Sequence, residues 1–169
     1  WSFVSQELPA LVRSFFPVSR QREDTFVAGL SMGGYGAFKL ALTHPQRYAA
    51  AASLSGALDI ASHLPELDKA ERKEWQAIFG KLKKLAGSDN DLTHLARQLA
   101  QSKARRPQLF QCCGIDDFLY DSNVSFRDLL QSLRIKLTYE EGPGDHDWAY
   151  WDRKLQRVLA WLPLQPPAS

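Results

Sequence analysis

The stretch that most restricts the fold is Thr25-Phe26-Val27-Ala28-Gly29-Leu30, which runs without a linker into Ser31-Met32-Gly33-Gly34 and then into a helical run over residues 35–43. A short apolar, β-prone segment that passes straight into a glycine-rich turn and then into helix-forming residues predicts a strand, a sharp turn and a helix. The same alternation continues down the chain. Residues 49–56, closed off by His44-Pro45 before and Gly56 after, read as a second buried strand. Strands are predicted over residues 108–113 and 136–140, and helices over 124–133 and 148–161.

Three more helical patterns complete the layout. Phe3, Val4, Leu8, Leu11, Val12, Phe15 and Phe16 recur at helical spacing until Pro17, which predicts an amphipathic helix at the start. Trp75, Ile78, Phe79, Leu82 and Leu85 follow the same rule up to Gly87, and Leu92, Leu95, Ala96 and Leu99 repeat it after the capping stretch 88–91. Pro163, Pro166 and Pro167 end the last helix and predict a frayed tail. Strands alternating with helices imply an α/β fold with a mostly parallel sheet of about four strands and helices on both faces. The whole chain, 1–169, reads as one domain carrying a helical, cap-like insertion over 64–106. In such a sheet the chemistry collects at the carboxyl ends of the strands.

Composition removes several classes of function. With 44% hydrophobic and 24% charged residues, 169 residues are enough to bury a core. The net charge of +2 is small and the signs are interspersed, so nothing calls for a nucleic-acid partner. No run of about 18 apolar residues predicts a membrane span. Cys112 and Cys113 are adjacent in an apolar run and read as buried free thiols rather than a disulfide framework. The chain begins at Trp1 without a signal-peptide pattern, which leaves the compartment open with a cytoplasmic location as the default.

Gly29-Leu30-Ser31-Met32-Gly33 matches G-x-S-x-G between a strand and a helix, the context in which that pattern carries a nucleophilic serine. Glycine at the two flanking positions, 29 and 33, is expected to avoid collisions with neighbouring backbone, and Gly34 and Gly36 to keep the helix start slim. The turn aims the backbone N–H of Met32 and the helix N-terminus at the point where an oxyanion would develop. A serine hydroxyl needs a base. Among the four histidines, His44 ends the nucleophile's own helix, and His63 and His94 lie in the insertion with no orienting partner near in sequence. His146 sits in the loop 142–147 after the last strand, at the correct end of the sheet. The acid must fall between serine and histidine in this fold. The loop after the third strand offers Asp116 and Asp117, with Asp121 a turn further on, and spacing does not choose between the adjacent pair.

At this level the chain resembles the esterase D family of α/β-hydrolases, in particular the bacterial tributyrin-esterase-like carboxylesterases. The resemblance rests on residues 26–37, 53–58, 113–120 and 142–148, in the family's order. It implies that the second acidic residue of the Cys113-Gly114 block, Asp117, completes a triad with Ser31 and His146. It also implies short-chain acyl esters as substrates. Members of that family carry several strands before the helix that opens this chain, with a second oxyanion donor in an early loop. The expectation is therefore a C-terminal part of the α/β-hydrolase fold whose N-terminal strands are supplied by a missing segment or a separate chain, with a homo-oligomer as a further arrangement. No metal or organic cofactor is expected, since neither H-x-x-H spacing nor a phosphate-binding glycine loop is present. Trp75, Ile78 and Phe79, together with Trp148 near His146, are candidate pocket residues, although such stripes more often simply pack. Competing readings are a thioesterase of the S-formylglutathione hydrolase kind, a feruloyl or acetyl-xylan esterase, and an inactive fragment acting as a binding module.

Overall fold

The computed structural model describes residues 1–164. Four strands, β1 (Phe26–Leu30), β2 (Ala50–Leu54), β3 (Gln108–Gly114) and β4 (Leu137–Gly142), form one sheet in the order β1-β2-β3-β4. All three pairings are parallel, with Leu30 opposite Leu54, Leu54 opposite Cys112, and Gly114 opposite Gly142. Every crossover therefore needs a helix-length connection, and all four strands point their carboxyl ends the same way.

Side chains alternate between the two faces of the strands. Ala51 and Leu109 join Phe38, Phe126 and Leu130 in the larger core, which is closed by α2 (Met32–Thr43), α4 (Leu92–Gln101) and α5 (Tyr120–Ser132). Their neighbours Ala52, Leu54, Phe110 and Cys112 face the other way and pack with Tyr150, Trp151 and Val158 of α6 (Trp148–Trp161). The small residues of β2 let helices approach the sheet from both sides, and all five positions of that strand are buried. Cys112 and Cys113 are buried and free, as their apolar run predicts.

Several boundaries differ from those read off the sequence. The opening helix is a π-helical turn, Phe3–Glu7, leading into α1 (Leu8–Phe15), and α1 buries none of its residues. Leu8, Leu11 and Phe15 remain exposed beside β1, the edge strand. The helix expected to run to Gly87 is instead α3 (Lys69–Phe79), which stops at Gly80 in a left-handed conformation, followed by a separate 3-10 turn at Leu82–Lys84. Periodicity continued across the break because Leu82 and Leu85 are buried in their own right. α3 also begins earlier than its apolar stripe, at a capping box in which Asp68 accepts from Ala70 and Glu71 N–H and Glu71 accepts from Asp68 N–H. Similarly α5 starts at Tyr120 rather than 124, through a polar first turn that apolar spacing does not detect.

The 64–106 segment divides into two parts. α4 packs Leu92, Leu95, Ala96 and Leu99 into the main core, whereas α3 buries no residue fully and lies over the carboxyl ends of the strands. Pro163 lies just past the end of α6; Pro166 and Pro167 lie outside the described residues. No helix is long and apolar enough to cross a membrane among the described residues.

Candidate active site

Ser31 is the residue between β1 and α2, and its backbone sits at φ 53°, ψ −122°. A residue with a side chain rarely adopts that conformation, and it persists only where its surroundings over-determine it. Here the end of β2 and the loop after it hold the serine on both sides: Ser31 N–H donates to Leu54 O at 2.9 Å and Ser31 O accepts from Ala57 N–H at 3.3 Å, while Tyr35 N–H of α2 also donates to Ser31 O at 3.2 Å.

The glycines of the turn have different duties. A Cβ on Gly29 would lie 2.2 Å from Gly33 O, and one on Gly34 would lie 2.6 Å from Ser53 Oγ, so the backbone crossing requires both to be bare. A Cβ on Gly33 or on Gly36 would meet nothing within 4 Å. The expectation of a clash at both flanking positions therefore holds at Gly29 and not at Gly33, whose own carbonyl is the atom Gly29 must avoid. Likewise Gly34 keeps the helix start close to β2, and Gly36 does not.

Ser31, Asp117 and His146 follow β1, β3 and β4 respectively, and the parallel sheet brings their loops together. His146 Nε2 lies 2.9 Å from Ser31 Oγ, and its Nδ1 lies 2.9 Å and 3.1 Å from the two carboxylate oxygens of Asp117. The Asp117 side chain is fully buried. A carboxylate can only accept, so Nδ1–H donates to Asp117 and Nε2 is left to accept from the Ser31 hydroxyl. Asp117 Oδ1 also accepts from Leu119 N–H at 2.8 Å.

Asp116, the other member of the adjacent pair, turns away to Gly144: its N–H donates to Gly144 O and its Oδ2 accepts from Gly144 N–H. Asp121 lies in the first turn of α5. The β3 and β4 loops are stitched together by Ile115 N–H to Gly142 O and Asp116 N–H to Gly144 O. Gly114 and Gly144 permit this approach: a Cβ on Gly114 would stand 2.1 Å from Gly144 O, and one on Gly144 would stand 2.3 Å from the Tyr150 ring. The imidazole is held between Phe118, centroid 4.6 Å away, and the edge of Trp151 at 4.8 Å.

Met32 opens α2 as the residue after Ser31, and its N–H, as a first-turn amide, has no partner within the helix. Ser31 and Met32 form the floor of a cleft of about 580 Å³ whose wall includes Trp75, Ile78, Phe79 and Phe118. Trp148 is not part of it. That side chain is largely exposed and lines a smaller groove of about 270 Å³ with Gly29, Leu30 and Leu155, on the α6 face of β1. Its position two residues after His146 suggested proximity, but the start of α6 turns it away from the cleft. His63, by contrast, lines the cleft and has a partner after all, Glu66 Oε2 at 3.2 Å from its Nδ1. His44 caps α2, and His94 lies in α4.

Burial pushes both thiols up to about 12, with the Asp117 charge adding to the effect at Cys113. Among the described residues no group of three or more His, Cys, Asp or Glu side chains is placed to hold a metal ion. Sequence reasoning missed Asn123. Fully buried in α5, its Nδ2 donates to Gly56 O and Leu119 O, both at 2.9 Å, and its Oδ1 accepts from Gln111 Nε2 at 3.1 Å. It ties the loop that grips Ser31 to the loop that carries Asp117, across a sequence separation that leaves no local signal.

The esterase family model, described as "Putative esterase", matches residues 1–162. The chain belongs to this esterase family. Its relatives include an acetyl esterase of Caldicellulosiruptor saccharolyticus, 36% identical over 166 residues that cover 95% of this chain and 62% of that protein. Among solved structures, the S-formylglutathione hydrolase of Staphylococcus aureus superposes with a TM-score of 0.82 at 38% identity, over 92% of this chain and 61% of that one. The fluorophosphonate-binding serine hydrolase F of Staphylococcus aureus gives a TM-score of 0.83 at 37% identity, over 94% and 62%. The fold is thus that of the α/β-hydrolases, and the chain spans about three fifths of the length of these esterase-family relatives.

Proposed function

We propose that this esterase-family chain carries the catalytic triad of a serine carboxylesterase acting on short-chain acyl esters. The observation that carries the reading is the unbroken contact from Ser31 Oγ to His146 Nε2 and from His146 Nδ1 to Asp117, each step at 2.9 Å. In the proposed reaction Ser31 Oγ attacks the ester carbonyl carbon while its proton passes to His146 Nε2. Asp117 stabilises the imidazolium, and Met32 N–H donates to the oxyanion. Collapse of the tetrahedral intermediate breaks the C–O bond, and the alcohol leaves with the proton from His146. Water, deprotonated by the same nitrogen, then attacks the acyl-enzyme and releases the acid. Trp75, Ile78 and Phe79 form the apolar wall against which a short acyl chain rests.

The resemblance assigns a second oxyanion donor to an early loop of the family. The exposed apolar side of α1 and the open edge of β1 are where we place the strands that would carry it, on the same polypeptide or on a second one. A second copy covering that face is the competing arrangement, and equilibrium sedimentation separates the two.

The test uses the full-length protein. Fluorophosphonate should label Ser31, and Ser31→Ala should abolish both the adduct and hydrolysis of acetyl and butyryl esters. Asp117→Asn should retain the fold and lose about 10⁴ in kcat. An adduct that survives Ser31→Ala sinks the reading. A thioesterase acting on S-formylglutathione is the second reading, favoured by the similarity to hydrolases of that name at 38% and 40% identity. It uses the same triad and differs in the substrate's charge.

A further inference from the structure

The wall of the Ser31 cleft is charged on one side only. It presents the carboxylates of Glu66, Glu71 and Glu74 and no lysine or arginine. Composition does not account for this, because the chain as a whole is +2 and α3 itself contains Lys69, Arg72 and Lys73. Helical spacing does account for it. Glu71, Glu74, Trp75, Ile78 and Phe79 fall on one i, i+3, i+4, i+7, i+8 stripe, the stripe that faces the cleft, and the three cations fall off it. Arg72 is turned further away, donating to Leu64 O at 2.8 Å and Leu67 O at 3.0 Å. Two of the carboxylates are also held in place: Glu71 accepts from Asp68 N–H in the capping box and Glu66 faces His63.

Resting on the reading of Ser31 as an ester-attacking nucleophile, we infer that this wall selects substrates by charge. The cleft accepts uncharged and cationic esters and repels anionic ones, which sets a glutathione thioester, negatively charged at neutral pH, at a disadvantage. Two unit charges about 8 Å apart in water change an equilibrium roughly two- to threefold. Three carboxylates acting together therefore disfavour an anion by about tenfold at low ionic strength. Near 1 M salt, with a screening length of about 3 Å, the discrimination disappears.

The experiment compares kcat/KM of the full-length protein for three butyrate esters of similar shape: the choline ester, its uncharged 3,3-dimethylbutyl isostere, and the ester of a hydroxyalkanoate of matching length. At low ionic strength the anionic ester should fall about tenfold below the neutral one and converge on it near 1 M salt. In the Glu66→Gln/Glu74→Gln variant the anionic-to-neutral ratio should rise about fivefold, reflecting two of the three charges. An anionic ester turned over as well as the neutral one at low salt overturns the inference while leaving the esterase reading intact. So does a glutathione thioester whose rate falls as salt is added. Failure to hydrolyse any of the esters, with no fluorophosphonate adduct on Ser31, overturns both.

Discussion

Replacing Asn123 with leucine tests whether the loops beside Ser31 and Asp117 are held by one buried amide. The substitution keeps the branched side-chain skeleton and its number of heavy atoms, adds some bulk, and removes three hydrogen bonds, to Gly56 O, to Leu119 O and from Gln111 Nε2. The acceptors are not left bare: Gly56 O still accepts from Leu58 N–H, and Leu119 O from Ser122 Oγ. Gln111 Nε2 likewise keeps the Asn123 backbone carbonyl at 2.7 Å. The expected cost is therefore the net worth of three bonds, about 2–4 kcal/mol, without a full desolvation penalty on top. For a domain of this size that lowers Tm by roughly 5–15 °C. Urea unfolding followed by tryptophan fluorescence should show a lower midpoint at unchanged slope. The double replacement Asn123→Leu/Gln111→Leu should cost less than the sum of the two single changes, since an apolar pair leaves fewer polar atoms unmatched. A loss below about 0.5 kcal/mol in Asn123→Leu, or strict additivity in the double variant, would refute the idea that this amide is a shared clamp.

The turn glycines give a second contrast: Gly29→Ala should destabilise by about 3 kcal/mol or more because its Cβ meets backbone 2.2 Å away, whereas Gly33→Ala should stay within about 1 kcal/mol, both read by thermal melting. Asp91, the buried N-cap of α4, is desolvated, which alone would raise its pKa, but N–H donors from Gly87, Thr93 and His94 and the Thr93 hydroxyl outweigh burial and hold it below the ordinary value of 3.8. Its contribution is thus complete above the unfolded pKa and is lost as pH falls through the depressed folded value. Asp91→Ala should cost about 1–2 kcal/mol at neutral pH and progressively less in the acid range below 4, measured by urea midpoints across pH. Cys112 and Cys113, with thiols pushed up to about 12, should resist alkylation at neutral pH in the folded state and react once urea unfolds the protein; rapid native-state labelling would contradict their burial.

Much of this arrangement is legible in the residues because parallel strands alternating with helices leave few choices. Gly29-Leu30-Ser31-Met32-Gly33 is a local pattern, so both the strand and the helix around Ser31 are recoverable from it. The loop histidine is recoverable because the fold puts His146 at the right end of the sheet, and because His44 lies at the far end of the helix that Ser31 begins. Spacing does not distinguish the two aspartates, and the fold separates them by direction. Asp116 and Asp117 are adjacent, and only a three-dimensional turn sends one carboxylate under His146 and the other toward Gly144. Trp148 lines a different groove from the Ser31 cleft, since nearness in sequence to His146 says nothing about which side of α6 a ring leaves from. Asn123 is silent in sequence because its partners, Gly56 and Gln111, lie on other elements.

The strained backbone at Ser31 links these points. The Ser31 backbone at φ 53° is held from outside its own turn by Leu54 O at the end of β2 and by Ala57 N–H in the loop that follows, in addition to Tyr35 N–H of α2. Ser55, at φ 47° in that same loop, is itself anchored through its N–H to Cys112 O at 2.7 Å, on the strand that leads to Asp117. The conformation of Ser31 therefore depends on β3 as well as on its own motif. The five-residue pattern alone is a weak predictor because it describes the strained turn and not the neighbours that keep it strained. In this chain those neighbours are present, and the Asn123 clamp ties the loop after β2 to the loop after β3. Loosening that loop should then reduce the rate of Ser31 labelling before it unfolds the protein, an order that a purely global loss of stability would not produce.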